Sequence, residues 1–146
     1  MALNIVVDTN VLYELLRPRP RPAPAVLAWF ARQAGSSLVV SCATQAEMLL
    51  GGSLLPSGVR RKPLEAALYA MFDADFQGRF WPFDEWAAPR YAAIVSTRRA
   101  TGRPVSQFDA QIAAIASARG AALATRRIAD FEGCGPVLHD PWAAAG

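Results

Sequence analysis

The chain has 146 residues, 53% of them hydrophobic, and a formal net charge of +3 with an isoelectric point near 9.3. That length suits one compact domain, residues 1–146, with a sizeable core. No apolar run approaches the roughly 18 residues of a membrane span, and no charged segment precedes an apolar leader, so a cytoplasmic protein without a membrane partner is expected. Cys42 and Cys134 stand far apart without metal-ligand spacing, and His139 is the sole histidine, which argues against a disulfide framework and a His-rich metal site.

The first predicted element is the apolar, β-branched run ending at Val7, which stops on Asp8 and is followed at once by a helical pattern at Val11, Leu12, Leu15 and Leu16. This spacing predicts a buried strand delivering a carboxylate to its C-terminal tip, where ligands gather in open α/β sheets. Pro18, Pro20, Pro22 and Pro24 end the helix near Arg17 and impose a stiff extended loop. A second helix is expected over 23–34, then a buried strand over 37–41. A third helix begins with Thr44 and Glu47 and stops at the Gly51–Gly52 pair.

Residues 53–62 read as a loop, and 63–75 as an amphipathic helix with Leu64, Ala67, Leu68, Met71 and Phe72 on one side. Residues 79–84 form a short aromatic strand that Pro82 confines to an edge or end. A long helix over 86–100 closes at Gly102, and Ser106 caps another that carries Asp109 in its first turn. A short strand over 121–125 precedes a turn or short helix containing Asp130, and the last strand lies at 136–139. Strands alternating with helices in this way predict a three-layer α/β/α fold, a central parallel sheet with right-handed crossovers.

Fourteen of the fifteen basic side chains are arginine, whose planar fork matches phosphate oxygens. Genomic base composition explains such a bias equally well. Among the clusters are Arg17, Arg19 and Arg21 between prolines, Arg98, Arg99 and Arg103, and Arg126 with Arg127.

Four acids, Asp8, Glu47, Asp109 and Asp130, fall at strand tips or in the first turn of a following helix, and such positions converge on one edge of the sheet. Each has a structural alternative. Glu47 completes a Thr44-x-x-Glu47 capping box, Asp109 fits the first turn after Ser106, and Asp130 would cap a turn. Asp8 ends a buried strand and needs a cation or hydrogen-bond donors.

Carboxylates crowded together require a compensating cation, and oxygen-only ligands select Mg2+ or Mn2+. With arginines nearby, such a site suits phosphodiester hydrolysis by metal-activated water. No nucleophile elbow, Cys–His pair or P-loop supports acyl transfer or nucleotide binding. Two rivals are a non-catalytic module that binds nucleic acid or protein, and aspartyl-phosphate chemistry, which wants a second Asp two residues after the first where this chain has Asn10.

The segments Val7-Asp8-Thr9-Asn10-Val11-Leu12, Thr44-Gln45-Ala46-Glu47-Met48, Phe108-Asp109-Ala110-Gln111 and Ala124-Thr125-Arg126 through Asp130-Phe131, with Pro141-Trp142 after them, together resemble the PIN-domain family and its VapC/FitB-type toxins. The resemblance covers nearly the whole chain. It implies a Mg2+- or Mn2+-dependent endoribonuclease with Asp8, Glu47 and Asp109 as core metal ligands and Asp130 as a fourth, direct or through water. It implies supporting roles for Asn10 and Thr125; Arg17, Arg19, Arg126 and Arg127 are the candidate RNA contacts. Arg127 departs from the pattern, many relatives having Asn there. A homodimer and a small VapB/FitA-like antitoxin are also implied. The antitoxin's C-terminal segment would occupy the active-site groove, and operator DNA would be bound only through the antitoxin.

Overall fold

Three β-branched residues open the described structure: Ile5–Val7 form β1, buried along its length. The computed structural model describes residues 4–17, 20–33, 37–58 and 61–143. After β1 come α1 (Thr9–Leu16), α2 (Pro24–Arg32), β2 (Leu38–Ser41), α3 (Cys42–Leu54) and α4 (Arg61–Ala70). A π-helical turn follows at Met71–Asp75, then β3 (Phe80–Trp81), α5 (Ala87–Ala100), α6 (Gln107–Ala118), β4 (Ala122–Ala124), α7 (Ile128–Phe131) and β5 (Leu138–His139).

The strands form one sheet in the order β3-β2-β1-β4-β5, and every pairing is parallel. Val6 lies opposite Val39 and Leu123, so β1 is central. β3 is an edge strand, which suits the Pro82 that follows it.

Side-chain alternation builds the layers. Ile5, Val7, Leu38, Val40, Ala122 and Ala124 face one core, filled by Leu12, Val26, Trp29, Met48, Leu68 and Phe72 from the helices of that side. Val6, Val39 and Leu123 face the other, against Ile94, Ile112, Ile115 and Phe131. Each fully buried Val or Leu contributes roughly 1.5–3 kcal/mol by leaving water. In α6, Ala110, Ala113, Ala114 and Ala116 are all buried, and their small side chains let the helix lie close on the sheet. The three-layer α/β/α fold expected from the sequence is what forms.

Several boundaries differ from the sequence reading. α3 begins at Cys42, because Ser41 accepts from the Thr44 N–H and caps it two residues earlier. The Gly51–Gly52 pair lies inside α3 instead of ending it. A Cβ on Gly51 would stand 2.9 Å from the Tyr13 hydroxyl, and one on Gly52 3.3 Å from Leu68 Cδ1, so the pair admits close approach of α1 and α4. Among the described residues no helix is long and apolar enough to cross a membrane. Cys42 is half-buried and Cys134 buried, both as free thiols.

Candidate active site

Because all strands run parallel, the segments after β1, β2 and β4 leave the sheet at one edge, and Asp8, the start of α3 and Thr125 meet there. Asp8 is 0% exposed, so its oxygens need internal partners. Oδ1 accepts from the Thr9 N–H at 2.8 Å, which also caps α1. Oδ2 accepts from the Asn10 amide at 2.9 Å, the Thr125 hydroxyl at 2.7 Å and Arg127 Nη2 at 3.3 Å. The Asp8 N–H donates to the Ala124 carbonyl, tying the acid's backbone to β4. Asn10 spans the gap a second way, its Oδ1 accepting from the Arg126 N–H.

Glu47 has no capping role. One turn into α3, its Oε1 accepts from the Thr9 hydroxyl at 2.6 Å, while the Ser41 side chain does the capping. Thr9 therefore links two acids, its N–H to Asp8 and its hydroxyl to Glu47. Tyr13 stands beside them, and burial first, then the Glu47 charge, pushes its phenol pKa up.

Asp109 is buried in the first turn of α6. Its backbone N–H donates to Ser106 Oγ, as the predicted cap requires. Its carboxylate is held by the fork of Arg127, Nη2 to Oδ1 at 2.7 Å and Nη1 to Oδ2 at 3.0 Å. Asp130 is more distant and exposed, 3.5 Å from Arg127 Nη1. The arginine N–H donates to Thr125 Oγ1, and its guanidinium lies over the Phe131 ring, 5.4 Å from the centroid. Burial lowers the guanidinium pKa, but the Asp109 hydrogen bond and the charges of Asp8 and Asp109 outweigh it, and the net direction is up.

Arg127 is thus the cation around which Asp8, Asp109 and Asp130 are arranged. Its side chain is 41% exposed, whereas that of Asp8 is fully buried, so the ring of acids opens toward solvent on the arginine's side. Among the described residues no group of three or more acids, histidines or cysteines stands in a preformed metal-holding arrangement. The donor set still fits a hard divalent ion: carboxylate oxygens without His or Cys. Asp8 Oδ2 and Asp109 Oδ1 both bond Arg127 Nη2, so two carboxylates already converge on one positive position.

The other arginines divide. Arg126 is exposed, with its guanidinium 4.8 Å from the Trp142 ring centroid, beside the acids in sequence and at the same edge. Arg17, at the far end of α1, pairs with Glu14 at 3.1 Å instead of joining the acid ring. Arg19 lies outside the described residues. Arg98 had no distinguishing signal in sequence. It is buried, and it donates to the carbonyls of Arg103, Asp130 and Glu132 and to Cys134 Sγ, clasping the segment that carries Asp130.

A PIN domain profile matches residues 5–127. The chain is similar to VapC ribonuclease Y4jK of Sinorhizobium fredii, with 36% identity over 141 residues that cover 97% of this chain and 99% of the relative. Toxin FitB of Neisseria gonorrhoeae is 35% identical over 138 residues, 94% and 98% of the two chains. Among solved structures, FitAB bound to an IR36 DNA fragment contains a chain that superposes with a TM-score of 0.84 at 34% identity, covering 97% of this chain and 98% of that one.

Proposed function

The chain belongs to the PIN-domain family, and on that premise we propose that it is a Mg2+- or Mn2+-dependent endoribonuclease, the toxin of a VapBC/FitAB-type toxin–antitoxin pair acting in the cytoplasm. The observation that carries the reading is the convergence of Asp8 and Asp109 on one cation position at the C-terminal edge of a parallel sheet. Relatives named as a ribonuclease and a toxin support the substrate class and role. The solved FitAB complex on DNA supports a FitA/VapB-like antitoxin partner through which operator DNA is bound. A homodimer follows from the same family membership.

Asp8 and Asp109 would hold the divalent ion, with Glu47 and Asp130 joining directly or through water. Bound there, such an ion supplies water activation and neutralises charge on the phosphate and the departing 3′ oxygen. The protein's own part is positioning. Asn10 and Thr125 fix Asp8 Oδ2, and the Thr9 hydroxyl aims Glu47 at the same edge. Arg126, exposed beside this edge, offers a fork for a backbone phosphate.

One observation favours a second reading, a non-catalytic PIN module that binds RNA or protein: Arg127 already balances Asp8 and Asp109. End-mapping of RNA incubated with the purified chain separates the two. The proposed hydrolysis predicts cleavage in Mg2+, none in EDTA, and fragments with 5′-phosphate and 3′-hydroxyl ends. RNA bound but intact in Mg2+ supports the module, and 2′,3′-cyclic phosphate ends contradict attack by water.

A further inference from the structure

The acid ring contains its own cation, and that determines how it accepts another. Arg127 grips Asp109 through both terminal nitrogens, reaches Asp8 at 3.3 Å, and lies 3.5 Å from Asp130. A divalent ion drawn to the same carboxylates would sit beside this guanidinium, a like-charge contact in a half-buried site. Both cations compete for the same oxygens of Asp8 and Asp109.

We propose that Arg127 is an internal counter-cation that divalent metal must displace, so that the chain loads its metal by exchange for a guanidinium. The inference rests on the metal-site reading above. Two features make exchange feasible. The Arg127 side chain is 41% exposed, leaving a path outward, and it follows a strand on the short segment before the four-residue α7. Its backbone is anchored separately, through its N–H to Thr125 Oγ1, so the side chain can swing without moving the loop. Phe131, under the guanidinium at 5.4 Å, supports it in the metal-free grip. Without metal the acids remain neutralised, and folding does not wait for the ion.

Displacement lowers apparent metal affinity by the fraction of time the guanidinium holds the acids. Mn2+ titration of the full chain, read by loss of the free-ion electron paramagnetic resonance signal, tests this on wild type, Arg127→Gln and Asp8→Asn. Arg127→Gln is expected to bind Mn2+ up to about fivefold more tightly than wild type, the scale for removing a half-exposed charge pair. In metal-free wild type, separate Arg127 Nη resonances are expected from the bidentate grip, merging on Mg2+ saturation as the side chain is freed. This second readout stands even if Arg127→Gln folds poorly.

Equal or weaker Mn2+ binding by a folded Arg127→Gln overturns the proposal. So do Nη resonances unmoved at saturating Mg2+. If wild type and Arg127→Gln bind equally while Asp8→Asn does not bind, exchange fails but the metal site stands. Failure of all three proteins to bind Mn2+ removes the metal-site reading together with this proposal.

Discussion

Two arginine-centred regions of the molecule differ in what surrounds them. Arg98 is buried and faces neutral carbonyls and a thiol. Arg127 is 41% exposed and faces carboxylates. Neutral carbonyls attract a solvent cation less than carboxylates do, and the guanidinium that joins them is buried, so the Arg98 clasp is structural. Carboxylates at an open edge attract cations from solvent, which makes the Arg127 region the one proposed to exchange. The identity of the arginine decides little, and the acceptors and the access to water decide its role.

The sharpest way to break the Arg127 region is Asp109→Asn. It removes the charge gripped by Arg127 and one proposed metal ligand, and RNA cleavage should fall at least about 10^3-fold, a barrier increase of roughly 4 kcal/mol. Initial rates on a labelled RNA check this, and a loss below tenfold would place the chemistry elsewhere. Breaking the Arg98 region acts on stability instead. Arg98→Met keeps the apolar stem but leaves the carbonyls of Arg103, Asp130 and Glu132 without their donor. We expect a loss of about 2–4 kcal/mol in urea unfolding, with hydrogen exchange accelerated first in residues 128–134.

A smaller effect sharpens the comparison through pH. Glu14 is a carboxylate in a fixed, non-exchanging setting: its Oε2 accepts from the Ala23 N–H at 2.9 Å, and Arg17 adds a charge at 3.1 Å. The Ala23 hydrogen bond, followed by Arg17, holds its pKa below the ordinary value against the opposing effect of burial. A lowered folded pKa gives stability that is present above the unfolded value of about 4.3 and is lost as pH falls through the folded value. Unfolding curves between pH 6 and 3 should therefore slope less steeply for Glu14→Gln than for wild type. Identical slopes would show that the Ala23 contact does not stabilise the ionised form.

Much of this arrangement was legible in the sequence because it depends on local pattern. Asp8 ends an apolar strand, and alternation of strands with helices makes the sheet parallel, which places strand tips on one edge. The link from Thr9 to Glu47 spans 38 positions, and no local pattern encodes it. The Thr44-x-x-Glu47 spacing suggested capping instead, and the earlier cap at Ser41 released Glu47 for the site. Gly51–Gly52 read as a stop because glycine usually ends helices, whereas here the nearness of Tyr13 and Leu68 requires the missing Cβ atoms. Arg98 was indistinguishable from Arg99 and Arg103, since only packing tells a buried donor from exposed ones.

Asp8 is the buried carboxylate at the centre of the site, with three donors on one oxygen. Asp8→Asn retains the size of the side chain but brings an amide N–H2 toward at least one existing donor, a cost of about 1–3 kcal/mol that leaves a folded protein. The direct measurement is RNA cleavage by this variant at saturating Mg2+, alongside its circular dichroism and thermal melt. The predicted result is a cooperative melt at reduced temperature with cleavage at the no-enzyme background. A folded Asp8→Asn protein that cuts RNA at the wild-type rate would contradict the account.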